Sequence, residues 1–220
     1  MKLWIATLLM VMAGPLWAAD WEVNHQGNSP AEVTTYVRDV ADSPVKAFRG
    51  QVQVAASMTS VLAVITAVDT FPQWVFQSKD ARRIAVQGQE KLYMQFNGIW
   101  PVSDRDVVLG NTLSQDDQGV ITLHSVNLSG VADKRSGYVR IPKLDNRFVL
   151  KPVSDGQVQV TFETYVDPGG RVPAWLANLV STRAPLETLE GLQAQLKKPR
   201  FTDVQRGDLP KLPGMDQLTL

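Results

Sequence analysis

The chain carries few groups able to do covalent chemistry. Its histidines are His25 and His124, and it has no cysteine. Nucleophilic or acid–base catalysis needs a base held against its partner. Ser103 stands beside Asp104 but has no histidine near it in sequence. His124 falls in an alternating stretch, where an exposed or structural role is expected. No His-x-x-x-His pair or carboxylate cluster supplies a metal-ligand set. Gly169-Gly170 lacks the Lys-Ser/Thr that a phosphate loop requires. Neither a metal nor an organic cofactor is expected, and the chain is read as a non-enzyme. What remains is charge recognition. Arg105 and Asp106 are adjacent, and successive strand residues point to opposite faces, so at most one of them turns inward. Arg105 shares its face with Val107, Leu109 and Asn111. A cation turned inward needs a partner, and Arg140 raises the same question.

The bulk numbers suit one domain with a sizeable core: 220 residues, 44% hydrophobic, with 22 basic and 22 acidic side chains. That balance argues against nucleic acid, whose binders show a basic excess. Met1-Lys2, the apolar run Leu3–Leu16 and the small residues Ala18-Ala19 predict a signal peptide over residues 1–19. A signal anchor is the alternative, but a span needs about 20 apolar residues. Export without disulfides suggests a bacterial periplasm.

The elements that position these residues follow from hydrophobic period and turn chemistry. Strands are predicted at Glu32–Val40 and Lys46–Ala55. A helix follows, capped by Ser57 and running to Asp69, then a short helix at Phe71–Phe76. Strands return at Arg82–Gln87, Lys91–Phe96, Asp104–Leu113, Val120–Leu128, Tyr138–Ile141, Arg147–Val153 and Gln157–Val166, several separated by Asn-Gly or Asp-Gly-type turns. One long helix is predicted from Val172 to Lys197, with a leucine stripe through Leu176, Leu179, Leu186, Leu189 and Leu196 and a kink at Pro185. The tail, 199–220, has three prolines and two glycines and is expected to be extended or mobile. Strands, helices, more strands and a terminal helix make an α+β fold. Whether the space between sheet and helix is filled or hollow is open at this level.

Three segments carry a family likeness. Trp100-Pro101-Val102-Ser103-Asp104-Arg105-Asp106-Val107-Val108 resembles an apolar-proline loop running into an Arg-Asp strand. Arg135-Ser136-Gly137-Tyr138-Val139-Arg140 is similar to a Ser-Gly-x-x-Arg strand. Asp167-Pro168-Gly169-Gly170-Arg171-Val172-Pro173-Ala174-Trp175-Leu176-Ala177-Asn178 is similar to a Pro-Gly-Gly turn entering a last helix. In this order they resemble the START (StAR-related lipid-transfer) domain family over about Ala31 to Lys198, nearest the phosphatidylcholine-transfer branch.

The resemblance implies a helix-grip fold over residues 20–198: a curved antiparallel sheet packed around a long C-terminal helix, with an internal cavity. It implies non-catalytic binding and transfer of a phospholipid, a sterol-like or another apolar molecule held in that cavity, with transient contact to a membrane surface. The gate would be the 97–102 loop and the terminal helix. The implied ligand-binding residues are Tyr93, Trp100, Val102, Arg105, Val107, Leu109, Asn111, Arg140, Trp175, Leu176, Leu179 and Val180. Arg105 or Arg140 would meet a headgroup phosphate. Trp100 would either face the membrane or pack inward. Two departures withhold the lipid's identity: Val107 stands where the phosphatidylcholine branch has tyrosine, and Asn111 where sterol binders have a second arginine. The alternatives are a periplasmic interaction module without a ligand, or a helix-grip cyclase- or hydrolase-like enzyme.

Overall fold

The computed structural model describes residues 20–154 and 156–220. The expected signal peptide lies outside them. The strands are β1 (Glu22–His25), β2 (Thr34–Arg38), β3 (Ala47–Ala55), β4 (Ser78–Val86), β5 (Gln89–Phe96), β6 (Asp104–Gln115), β7 (Ile121–Asn127), β8 (Tyr138–Arg140), β9 (Lys143–Ser154) and β10 (Gln157–Asp167). They form a single sheet in the order β1-β2-β3-β10-β9-β7-β6-β5-β4. All of these neighbours pair antiparallel. The short β8 instead runs parallel to the start of β6. His25 belongs to the edge strand β1.

Helix α1 (Met58–Thr66) begins where expected: Ser57 caps it by accepting from the Ser60 N–H, which satisfies one orphan donor. It ends before Asp69, and a 3-10 helix covers Val68–Gln73. The predicted single C-terminal helix is two: α2 (Ala174–Ser181) and α3 (Arg183–Leu196). The break precedes Pro185, whose ring has no N–H for the carbonyl of Ser181, four residues back, and crowds it. The Thr182 hydroxyl closes α2 by donating to Leu179 O at 2.7 Å.

α3 lies against the sheet at β3. A Cβ on Gly50 would stand 2.7 Å from Leu189 Cδ1 and 2.9 Å from Pro185 Cβ, so glycine sets the approach of helix to strand. Leu189 and Leu192 are fully buried there with Val61, Leu62 and Val64 of α1. α2 sits farther along the sheet and leaves a gap beneath it. The tail, expected to be extended or mobile, is packed: Phe201, Leu209, Met215 and Leu218 are buried members of the core. It crosses from α1 to the end of β6, where Gln115 and Thr219 exchange hydrogen bonds of 2.6 and 3.0 Å. Local turn chemistry favours coil here, and burial of these apolar side chains overrides it.

Candidate functional site

The gap under α2 is a cavity of about 280 Å³, near the lower end of small-molecule sites, roughly 300–1,000 Å³. Its walls are mainly apolar. Leu92 and Met94 contribute from β5, Leu109 and Leu113 from β6, Leu123 from β7 and Phe148 from β9. Phe148 stacks on Phe162 with centroids 4.6 Å apart, and Trp74 tilts against it at 6.3 Å. The roof is the face of α2 and early α3 that carries Leu176, Ala177, Val180, Ser181 and Ala184, a single helical stripe. One end is closed by Leu212 and Pro213 of the tail. At the other end the lining comes from the 97–102 loop and the Pro-Gly-Gly turn.

That second end is built from hydrogen bonds. Gly98 N–H donates to Asp104 Oδ1 at 2.8 Å, and Lys79 Nζ lies 2.7 Å from Asp104 Oδ2. These two contacts, the Gly98 one first, hold the Asp104 carboxyl below its usual range. Gly169 and Gly170 adopt φ of 64° and 70°, which a side chain would strain. The turn throws the chain over the sheet into α2. Asn178 then fastens α2, its Oδ1 accepting from Lys46 N–H at 2.9 Å and its Nδ2 donating to Pro44 O at 3.2 Å.

The Arg-Asp pair divides as strand alternation requires. Arg105 turns into the cavity wall and is 7% exposed. Its guanidinium donates to carbonyls only: Ser103 O at very short range, Pro168 O at 3.4 Å and Gly169 O at 3.4 Å. Burial pulls its pKa down, with the Asp104 charge opposing, yet a guanidinium stays protonated in proteins. Among the described residues no carboxylate forms a salt bridge with it. Asp106 turns to the opposite face. There Arg140 binds it through Nε at 2.8 Å and Nη2 at 3.1 Å, a bidentate pair that raises the arginine's pKa. Tyr93 donates its hydroxyl to the same carboxylate at 2.9 Å.

The structure therefore sorts the predicted ligand-binding residues. Val102, Arg105, Leu109, Asn111, Leu176 and Val180 line the cavity. Tyr93 and Arg140 do not; alternation on β5 and the Asp106 pair hold them on the other face. Val107 shares the inner face but is fully covered by the core. Trp100, Trp175 and Leu179 point outward, 90%, 68% and 60% exposed. The roof stripe runs through Leu176 and Val180, so Trp175 and Leu179 fall on the outer side of the same short helix. Sequence reasoning missed Phe148, Phe162, Leu212, Pro213, Ser125, Asn146 and Thr164. The first two and the polar three need the register between strands. The tail pair belonged to a three-residue apolar spacing, Leu209-Leu212-Met215-Leu218, which was the available signal. His124 lies outside the cavity and hydrogen-bonds Asp145 at 2.8 Å.

A model of the START domain family matches residues 12–200. The chain belongs to the START domain family. It is similar to a STAR-related lipid transfer protein from Xanthomonas axonopodis, at 30% identity and a TM-score of 0.72, covering 81% of this chain and 99% of that one. Human StAR-related lipid transfer protein 5 shares the fold, with a TM-score of 0.69 at 16% identity over 80% of this chain and 86% of its own. An uncharacterized protein of Pseudomonas aeruginosa is 29% identical over 195 residues, 88% of this chain and 95% of that relative. For this START domain the expected helix-grip fold, a curved antiparallel sheet around C-terminal helix, is the one observed, with that helix in two pieces.

Proposed function

We propose that this START domain binds a lipid or similar hydrophobic molecule in the cavity, does no chemistry on it, and passes it to and from membranes. The observation that carries this is the apolar cavity with a buried arginine on its wall that forms no salt bridge with a carboxylate among the described residues. A phosphate or carboxylate head would complete Arg105, while the tail takes the apolar walls. A chain of 16 carbons would lose about 13 kcal/mol if its methylenes, at about 0.8 kcal/mol each, entered water. A closed cavity avoids that loss.

The mouth is the 97–102 loop against α2. Trp100, Trp175 and Leu179 are exposed on those two segments, and tryptophan suits the membrane–water interface. Parting of loop and helix at a bilayer would let the lipid move between bilayer and cavity. The first 19 residues would direct the protein to the periplasm, as their pattern predicts. A ligand-free interaction module would leave the hollow and its buried cation without a use.

Native mass spectrometry of the protein purified from its own host is the direct test. The expected result is one anionic lipid per chain. A protein that emerges empty and takes up no lipid from vesicles would reject the reading. The gate is tested separately with Trp100→Glu/Leu179→Glu. Transfer between phospholipid vesicles should slow at least tenfold, and an unchanged rate would remove the gate from this scheme.

A further inference from the structure

The cavity floor carries a feature that an apolar tail alone does not call for. Asn111 on β6 pairs in register with Ser125 on β7. Ser125 pairs with Asn146 on β9, and Asn146 with Thr164 on β10. Directly opposed residues share a face, and all four line the cavity. They form one neutral polar row across adjacent strands. The next row on one side, Leu113, Leu123, Phe148 and Phe162, is apolar. On the other side Leu109, Leu144 and Val166 line the wall.

The row is only partly self-satisfied. Thr164 Oγ1 donates to Asn146 Oδ1 at 2.7 Å. Asn111 Oδ1 is buried with no hydrogen-bond partner among the described residues, an arrangement that costs the desolvation of that group. Its separation from Arg105 follows from strand geometry. The guanidinium touches Pro168 O and Gly169 O, so Thr164 lies about 13 Å away along β10 at about 3.3 Å per residue, and Asn111 about 20 Å along β6.

We propose that the row is a second polar subsite, and that the ligand is an amphiphile of a stated class: an anionic head at Arg105 and a neutral hydrogen-bonding oxygen, such as a hydroxyl or carbonyl, further along its body. This rests on the reading of the cavity as a lipid site. The row has no charged member, so it selects a neutral group. It supplies both amide and hydroxyl partners, so it serves an oxygen that donates as well as one that accepts. The apolar rows on either side fix where along the ligand that oxygen must fall.

The test uses the delipidated full chain and two probes, stearic acid and a stearic acid hydroxylated at mid-chain, with affinities from calorimetry. The hydroxylated probe should bind about three- to tenfold more tightly, the worth of one net hydrogen bond. Asn111→Leu with Ser125→Ala should erase that preference, so that the two probes bind alike. Arg105→Gln should weaken both probes and keep the preference. Equal affinity of the two probes for the unaltered protein would mean that water serves the row, and would overturn the subsite while leaving the cavity reading intact. Binding of neither probe would reject both. The comparison within the unaltered protein decides the matter even if the double variant fails to fold.

Discussion

The two ends of the cavity are closed by segments of similar kind and opposite construction. At one end the tail crosses the opening and buries its apolar residues: Leu209, Met215 and Leu218 are all under a tenth exposed. At the other end the 97–102 loop and α2 leave Trp100, Trp175 and Leu179 exposed, and are fastened mainly by hydrogen bonds through Asp104 and Asn178. Burial of apolar area contributes stability that opening must forfeit in full. Hydrogen bonds and half-exposed ion pairs trade against water at small net cost. By this contrast the first end is built as a seal, and the second is the end that we propose opens. Local opening is drawn from the regions with the fewest buried apolar contacts.

The seal should be the harder end to injure cheaply. Leu218→Ala removes a side chain that is 2% exposed and leaves a void at the end of β6. The expected cost is about 2–5 kcal/mol, and at about 2–4 °C per kcal/mol for a chain of this size the melting temperature should fall by several degrees. Calorimetry or thermal circular dichroism measures it. A shift within error would mean that the tail only rests on the sheet, and the distinction between the two ends would collapse.

The same truncation at the mouth should do almost nothing to the fold. Trp175→Ala and Leu179→Ala each remove exposed apolar surface from α2, and surface changes of this kind stay within about 0.5 kcal/mol. Their effect should appear instead on liposome association, where the pair together weakens sedimentation with phospholipid vesicles. Leu218→Ala should leave that association untouched. Loss of several kcal/mol from either α2 variant would show that the helix is packed at its outer face, contrary to its exposure.

What the sequence made legible follows the reach of each signal. Period and turns locate nearly every strand, because β-pairing obeys the alternation they report. The same alternation splits Arg105 from Asp106 correctly, since it depends only on neighbouring residues along one strand. It does not reach across strands: the row Asn111-Ser125-Asn146-Thr164 exists only once four registers are set. Tyr93 and Arg140 lie on the face of Asp106, because a family motif gives residue types but not the phase of a strand. α2 shows a different limit. A leucine stripe read as one helix from Val172 to Lys197 assigns Leu179 inward, but the break before Pro185 frees the phase of the first piece. In the tail, proline and glycine speak for local conformation, while Leu209-Leu212-Met215-Leu218 speaks for burial, and burial prevails.

The finest distinction between the ends is their response to acid. Asp104 holds the loop by accepting from Gly98 N–H and pairing with Lys79, and its carboxyl is held below the usual value for those reasons. A depressed carboxylate contributes stability that is present above the unfolded value, about 3.9. That contribution disappears as the pH falls through the lower folded value. The loop should therefore loosen below about pH 4. Protection of the Gly98 amide against hydrogen exchange, corrected for the intrinsic rate, should drop across that interval. Asp104→Asn, which keeps an acceptor but cannot titrate, should remove the pH dependence. The Thr219 amide, bound to the neutral Gln115 side chain at 2.6 Å, should show no comparable change. A flat Gly98 profile in the unaltered protein would mean that the carboxylate's charge does not hold the mouth, and would shift that role to Asn178 on α2, whose amide contacts with Lys46 and Pro44 do not titrate.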